Sequence, residues 1–373
     1  MSDPLPLPEP AEQPEFSWKI LGILFLKTTA LSFVFVAVLL FLTTLIVGVV
    51  AERKLTTFQT LTGVSRSELF SLAKEGWRAT PRQTDGSITI LLLGTDSLET
   101  RGDTPPLTDT MLLASINIHS GETTLLSLPR DLWSSAYQTK INALYAYGFE
   151  KTPTEPTRFV TDTIAEMTQL PINYTVVLSM EDVATIIDAI GGVRVDIPTS
   201  FTDAEFPKSD VDVTTETDPE VLYKTVSFAR GQELMNGSRA LEYMRSRHSQ
   251  DENGSDGSRA LRQQLVLQSM LSSLLTTKTM TNPETLAQLF TYYQDHLAEY
   301  LPMTDGIAIA RLLRDADDDL SFESTSLSIF PDDSSGVIFH PPTTQTEGVW
   351  IYEVRDTQTF RQEIARLLGN TAE

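Results

Sequence analysis

SITILLLG, residues Ser87–Gly94, is followed directly by Thr95-Asp96-Ser97. A continuous apolar run of this length that stops at a glycine predicts a strand buried on both faces, as in a sheet covered by helices. Downstream, Asp109–Ile118 and Glu122–Leu128 read as strands joined by the turn His119-Ser120-Gly121. Asn142–Gly148 and Glu155–Gln169 read as helices, Ile172–Met180 as a strand, and Glu181–Ile190 as an amphipathic helix. Gly191-Gly192 stops that helix ahead of a strand at Val193–Ile197. Ser200–Thr225 is polar and acidic, and is expected to be a long surface loop. Further helices are expected at Ser238–Met244, Ser258–Leu275, Asn282–Tyr300 and Asp305–Arg314. Strands mixed with helices throughout predict the α/β class, specifically a three-layer α/β/α sandwich with a mixed central sheet.

Upstream, Thr28–Ala51 carries no charge between Lys27 and Glu52. As a helix it measures roughly 36 Å, enough for a hydrocarbon core of about 30 Å. The run is too long for a signal peptide, so a single N-terminal transmembrane helix is expected. Lys19 and Lys27 precede it and Arg53 and Lys54 follow, so the positive-inside balance does not choose an orientation. The segments expected are a Pro-rich acidic tail (1–27), the membrane helix (28–51), a helical stalk (52–84), the main domain (85–335) and a C-terminal extension (336–373). The extension ends in an amphipathic helix at Gln358–Leu368.

Composition removes several chemistries. The chain has no cysteine, which excludes thiolate metal sites, cysteine nucleophiles and disulfides. Four scattered histidines argue against a multi-histidine zinc centre. A net charge of −22 argues against a nucleic-acid partner. There is no phosphate-binding GxxxxGK[ST] loop, GxSxG elbow, HExxH or GxGxxG. Asp251–Gly257 (DENGSDG) superficially suggests a calcium loop, but Arg262 occupies the position that needs a bidentate glutamate.

Aspartate, arginine and a hard cation remain. Between Ser227 and Arg262 lie Arg230, Arg239, Arg245, Arg247, Arg259 and Arg262, without a lysine. Arginine alone favours bidentate contacts to phosphate or carboxylate. Two readings stay open: convergence on a multiply charged anion, or surface arginines paired with Glu242, Asp251, Glu252 and Asp256. Asp96 and Asp109 fall at neighbouring strand ends and are oxygen ligands of the kind Mg²⁺ accepts, with turn or cap roles as the plain alternative. Ser127-Leu128-Pro129 ends a strand and presents Arg130 and Asp131.

The order of these motifs resembles the LytR-CpsA-Psr family of envelope phosphotransferases. The stretches carrying the resemblance are LLLGTDS (Leu91–Ser97), TDTMLLASIN (Thr108–Asn117), LLSLPRDLW (Leu125–Trp133), KINALYAYG (Lys140–Gly148), IDAIGGVRVDIP (Ile187–Pro198) and the block Gly231–Gln264. The resemblance implies transfer of a glycopolymer from a polyprenyl-pyrophosphate carrier to a sugar hydroxyl of peptidoglycan or another envelope glycan, forming a phosphodiester. It implies Mg²⁺, or Mn²⁺, on Asp96 and Asp109. It implies pyrophosphate binding by Arg130, Arg245, Arg247 and Arg259, with Asp131, Asp256, Arg262 and Gln263 completing the site. Asp103 and Asp131 are the candidate bases. It also places the short tail in the cytoplasm and the catalytic domain outside the cell membrane. The helices at Ala143–Tyr147, Val183–Ile190 and Leu261–Leu275 are either walls of a lipid tunnel or ordinary core. Two departures stand out: Leu98 and Glu99 intervene before Arg101, and the Arg247–Arg259 loop is long. Alternative functions on the same residues are a non-catalytic polyprenyl-phosphate-binding regulator and a polyprenyl-pyrophosphate hydrolase.

Overall fold

A computed structural model describes residues 43–95, 106–208, 211, 218–247, 249, 256–315 and 322–369. The chain divides into two units, Met1–Thr57 and Phe58–Glu373. Helices α1 (43–62) and α2 (Arg66–Arg78) precede strands β1 (Ser87–Thr95), β2 (Thr108–Asn117), β3 (Thr123–Ser127), β4 (Trp133–Ser134) and β5 (Thr139–Lys140). Then come α3 (Leu144–Lys151), α4 (Arg158–Thr168), β6 (Tyr174–Ser179), α5 (Met180–Ala189), β7 (Val193–Ile197), β8 (Phe201–Pro207) and α6 (Pro219–Leu222). β9 (Tyr223–Phe228), β10 (Gly231–Met235), α7 (Gly237–Arg245), α8 (Asp256–Leu274), α9 (Thr277–Thr281), α10 (Pro283–His296) and α11 (Met303–Asp315) follow. The chain closes with β11 (Phe322–Ser326), β12 (Ile329–Phe330), β13 (Ile338–Phe339), β14 (Glu353–Val354) and α12 (Thr357–Leu367).

The central sheet runs β11-β3-β2-β1-β6. β1 pairs antiparallel with β2 and parallel with β6, and β11 lies parallel to β3, so the sheet is mixed. β1 sits inside it, as its unbroken apolar run requires. On one face Leu91, Leu93, Met111, Leu113 and Leu126 pack with Leu144 and Tyr145 of α3, Val160 and Ile164 of α4, and Phe360 and Ile364 of α12. On the other, Ile88, Ile116 and Tyr174 meet Ile309 and Leu313 of α11. A second core joins Ile186 and Ile187 of α5, Tyr243 of α7 and Val266 of α8 to strands β7, β8 and β9.

Local chemistry fixes the boundaries. The Ser179 hydroxyl accepts from the Asp182 amide while the Asp182 carboxylate accepts from the Ser179 amide, a capping box that starts α5 where β6 ends. Gly191 and Gly192 take φ of +81° and +97° beyond it, a region that favours glycine.

The expected surface loop at Ser200–Thr225 is corrected. Strands β8 and β9 pair across its two ends. Phe201, Asp203 and Phe206 turn inward while Thr202 and Glu205 face solvent; the alternation steps by one at a register shift between Asp203 and Phe206, so burial follows strand geometry and not the acidic composition. The segment after Gly336 lends Phe360, Ile364 and Leu368 to the core beneath β1. Of the expected membrane helix Thr28–Ala51, the part before residue 43 lies outside the described residues, as does the whole of the acidic tail (1–27). Among the described residues no helix is long and apolar enough to cross a membrane.

Candidate functional site

The site is built on an irregularity between β1 and β2. Gly94 pairs with Thr110 and Thr95 with Thr108, so Asp109 is the extra residue of a bulge. A bulge redirects a side chain out of the pleat, and bulges recur beside active sites. Gly94 is needed there: a Cβ on it would lie 2.7 Å from the Cβ of Thr110.

The redirected carboxylate gathers guanidinium groups. Asp109 Oδ1 accepts from Arg130 Nη1 at 2.7 Å, and its Oδ2 lies 3.5 Å from Arg247 Nη2. Arg130 arrives because the Leu128 amide donates to Met111 O, extending the strand by one residue before Pro129 ends it. Arg130 Nε lies 3.7 Å from Asp131 Oδ2, and Asp131 Oδ1 accepts from Lys140 Nζ at 2.6 Å. Lys140 stands on β5, which pairs with β4. Asp131 is therefore a buried carboxylate between two cations.

The remaining arginines divide by role. Arg259 and Gln263, both at 4% exposure, project from α8 into a cavity of about 410 Å³ that Asp109, Arg130 and Asp131 also line. Gln263 Oε1 accepts from Thr110 Oγ1 at 2.8 Å, which ties α8 to the bulge. Met111, Leu261, Leu327 and Ile329 add apolar lining to the same cavity. Arg262 donates from Nε to Tyr243 O at 2.9 Å and from Nη2 to Ser246 O at 2.5 Å. It thus grips the turn between Arg245 and Arg247. Arg245 Nη2 donates to Glu181 Oε1 at 2.6 Å. The Arg247 amide donates at 2.8 Å to Asp203 Oδ2, and Asp203 has no exposure. Arg239 is bound to Glu233 and Glu242 and lies over the Phe228 ring. Arg230 donates its amide to Ser200 Oγ.

Asp109, Arg130, Asp131, Arg247, Arg259 and Gln263 are therefore brought to one place. Asp96 and Asp103 lie outside the described residues, as does the side chain of Asp256. The residues that sequence reasoning missed are Lys140, Glu181, Asp203 and Thr110, which hold the charged groups in position. Among the described residues no group of three or more His, Cys, Asp or Glu side chains is placed to hold a metal. Asp109 offers one carboxylate to such an ion. That suits Mg²⁺, which takes one or two carboxylates and completes its shell with water and substrate phosphate.

The model of the LytR_cpsA_psr family matches residues 52–358. The polyisoprenyl-teichoic acid–peptidoglycan teichoic acid transferase TagV of Bacillus subtilis is 25% identical over 270 residues, 70% of this chain and 62% of that protein. The corresponding transferase TagU of Enterococcus faecalis is 26% identical over 231 residues, 61% of this chain and 66% of that protein. The chain thus spans just under two thirds of the length of these curated relatives. A crystal structure of B. subtilis TagV superposes with a TM-score of 0.53 at 20% identity, covering 78% of this chain and all of that one, which shows a shared fold.

Proposed function

The chain belongs to the LytR-CpsA-Psr family, and from that premise we propose that it is an envelope phosphotransferase. It moves a glycopolymer from a polyprenyl-pyrophosphate carrier to a sugar hydroxyl of peptidoglycan or a related envelope glycan. The observation that carries this reading is the convergence of Arg130 and Arg247 on Asp109, which with Arg130 and Arg259 lines a half-apolar cavity. A pyrophosphate on a lipid needs this combination of paired guanidinium forks beside a greasy wall. The names of the TagV and TagU relatives agree with it.

In this reading Arg130, Arg247 and Arg259 bind the outer oxygens of the pyrophosphate, and Arg245 joins them from the end of α7. The acceptor hydroxyl oxygen attacks the phosphorus that bears the glycopolymer. A phosphodiester forms, the bond to the bridging oxygen breaks, polyprenyl monophosphate leaves, and the hydroxyl proton passes to solvent. The protein's work is to position the reactants and to neutralise charge as it develops. Asp109, together with Asp96, would hold a Mg²⁺ ion, which would supply further neutralisation of the phosphate charge. Asp131, held by Lys140, keeps Arg130 oriented and is a positioning residue.

We further assign Thr28–Ala51 as a single membrane span, with the short N-terminus cytoplasmic and the folded domain outside. Its 24 charge-free residues support this. The decisive experiment incubates the full-length protein with a polyprenyl-pyrophosphate-linked saccharide, Mg²⁺ and peptidoglycan oligomers, followed by mass spectrometry. Joined phosphodiester product plus polyprenyl monophosphate supports the reading. Monophosphate without joined product identifies a hydrolase. Bound, uncleaved lipid in the presence of metal and acceptor identifies a binding protein.

A further inference from the structure

Helix α2 (Arg66–Arg78, RSELFSLAKEGWR) has two unlike sides. Leu69, Leu72 and Gly76 recur at helical spacing and form its packed side. Gly76 is buried against α11, where a Cβ on it would lie 2.6 Å from the Cβ of Ile307. The opposite side carries Arg66, Phe70, Lys74, Trp77 and Arg78, all exposed. At 3.6 residues per turn these five fall within roughly 120° of arc, and Glu68 and Glu75 lie outside it. Phe70 is 73% exposed and Trp77 50% exposed. One exposed aromatic is ordinary, but two on one helix face among three cations form a patch.

The surroundings reinforce its charge. Arg311 of α11 donates to Trp77 O and, at 3.4 Å, to Ala79 O. Arg314 lies 4.7 Å from the centre of the Trp77 ring and is bound at 2.6 Å to Asp315. Arg66 donates from Nε to Gln59 Oε1 at 3.1 Å. Lys74 and Arg78 have no ion-pair partner among the described residues. Acids outnumber bases by 50 to 28 along the chain, so a helix face with cations and no acid is a local reversal. Aromatic rings set among lysine and arginine suit a bilayer interface. The rings enter the boundary between headgroups and acyl chains, and the cations meet headgroup phosphates.

Connectivity brings that surface within reach. Fourteen residues, 52–65, separate the proposed span Thr28–Ala51 from Arg66. Eleven of them, 52–62, continue α1, roughly 16 Å of helix at about 1.5 Å per residue. Gly63 then takes φ of +72°, and Ser65 caps α2 by accepting from the Glu68 amide. The headgroup layer on one side of a bilayer is itself about 5–8 Å deep. A basic, aromatic face on so short a tether meets the lipid surface at high effective concentration.

We propose that the outer face of α2 docks on the headgroups of the membrane that holds the span, with anionic lipid as its preferred partner. The contact sets which side of the folded unit faces the bilayer, because acidic surface is repelled by the same headgroups. The tether rests on the assignment of Thr28–Ala51 as a span; the chemistry of the face does not, and neither needs the transferase reading.

The chain has no cysteine, so a single introduced one can carry a nitroxide label. Ala73→Cys places it at an exposed position beside Phe70 and Trp77. Full-length labelled protein is reconstituted into phosphatidylcholine vesicles with and without phosphatidylglycerol. The label's accessibility to oxygen is then compared with its accessibility to a water-soluble nickel chelate. With phosphatidylglycerol present the label should favour oxygen, the signature of headgroup depth. Salt at about 1 M should weaken this, since the Debye length falls to about 3 Å. Lys74→Gln combined with Arg78→Gln should lower the docked-to-free ratio about ten-fold or more, the weight of two cations near a charged surface. Phe70→Ser should lower it in both lipids. Both variants should melt like the wild type, because the altered side chains are exposed. A label open to the chelate in both lipids, or shielded equally in wild type and both variants, overturns the surface. Shielding with dipolar broadening that grows with protein density identifies a second copy as the occupant and overturns it too. Protein stripped from the vesicles by carbonate, yet shielded by phosphatidylglycerol beforehand, keeps the surface and sinks the span. Carbonate-resistant protein with a water-exposed label does the reverse.

Discussion

Arg262 Nε donates to the main-chain oxygen of Tyr243 at 2.9 Å, fastening the first half of α8 to the last turn of α7. Its Nη2 reaches Ser246 O, and its guanidinium lies 4.9 Å from the centre of the Phe201 ring. Arg262 thus sets the turn from which Arg245 and Arg247 diverge. Lysine keeps the charge but not the planar fork. Arg262→Lys should lose stability, by about 1–3 kcal/mol for carbonyls left unpaired. Turnover should fall with it while Arg130 and Arg259 remain intact. Thermal melting and a transfer assay on the same sample check this; an unaltered melting temperature would remove the role.

Gly94 and the bulge at Asp109 form the second mechanical element. A methyl group on Gly94 would press on Thr110, whose hydroxyl donates to Gln263. Gly94→Ala should cost about 1–3 kcal/mol as overpacking. The displaced Asp109 should reduce transfer far more than the melting temperature suggests. Pyrophosphate affinity, measured by calorimetry, should drop in the folded variant.

Asp131 and Lys140 act as a pair. If Asp131 only orients Arg130, then Asp131→Asn and Lys140→Gln should slow transfer by similar factors, and the double variant should be no worse than either alone. A general base would show a far larger loss for the aspartate change, with a shifted pH–rate profile. The double-mutant cycle decides between the two.

Much of this arrangement was legible beforehand because it rests on local patterns. The apolar run at Ser87–Gly94 declared the buried strand, and Gly191-Gly192 declared the end of α5. The arginine block without lysine pointed to an anion site, although composition could not sort its members. Arg239, bound to Glu233 and Glu242, and Arg262, bound to carbonyls of α7, are indistinguishable in sequence from Arg247, which faces Asp109. Partners far along the chain decided those roles: Asp203 lies in a stretch that reads as loop, and Glu181 on another helix. Strand β8 was missed because only Phe201, Asp203 and Phe206 turn inward, too few to stand out among acidic neighbours. The bulge left no trace in sequence beyond Gly94 itself.

Acid should loosen the support of α7 through Glu242. Burial pushes its carboxyl upward, but bonds from Lys224 at 2.7 Å and Arg239 at 3.0 Å outweigh this and hold it below its ordinary value of 4.5. A carboxylate depressed in the folded state stabilises fully above its unfolded pKa, and that stability is lost as pH falls through the folded value. Glu242→Gln should therefore melt below the wild type at neutral pH. The gap should narrow progressively below about pH 4.5. A gap that stays constant down to strongly acidic pH would show that the carboxylate's charge is not what matters.

The arginines themselves give the sharpest contrast. Arg239 is held by two carboxylates, by Ser227 O and by the Phe228 ring, so its charge is already used within the fold. Arg247 is half exposed and meets Asp109 only at 3.5 Å, so it is available to phosphate. Arg239→Ala should lower the melting temperature and leave pyrophosphate affinity per folded molecule nearly unchanged. Arg247→Ala and Arg259→Ala should reduce transfer by about 10²–10³, the scale of a lost charge-stabilising donor. For Arg247→Ala the melting temperature should hardly move, because an exposed ion pair contributes about 0–1 kcal/mol. Full transfer by Arg259→Ala would rule out the clamp, since that side chain lines the same cavity as Asp109 and Arg130.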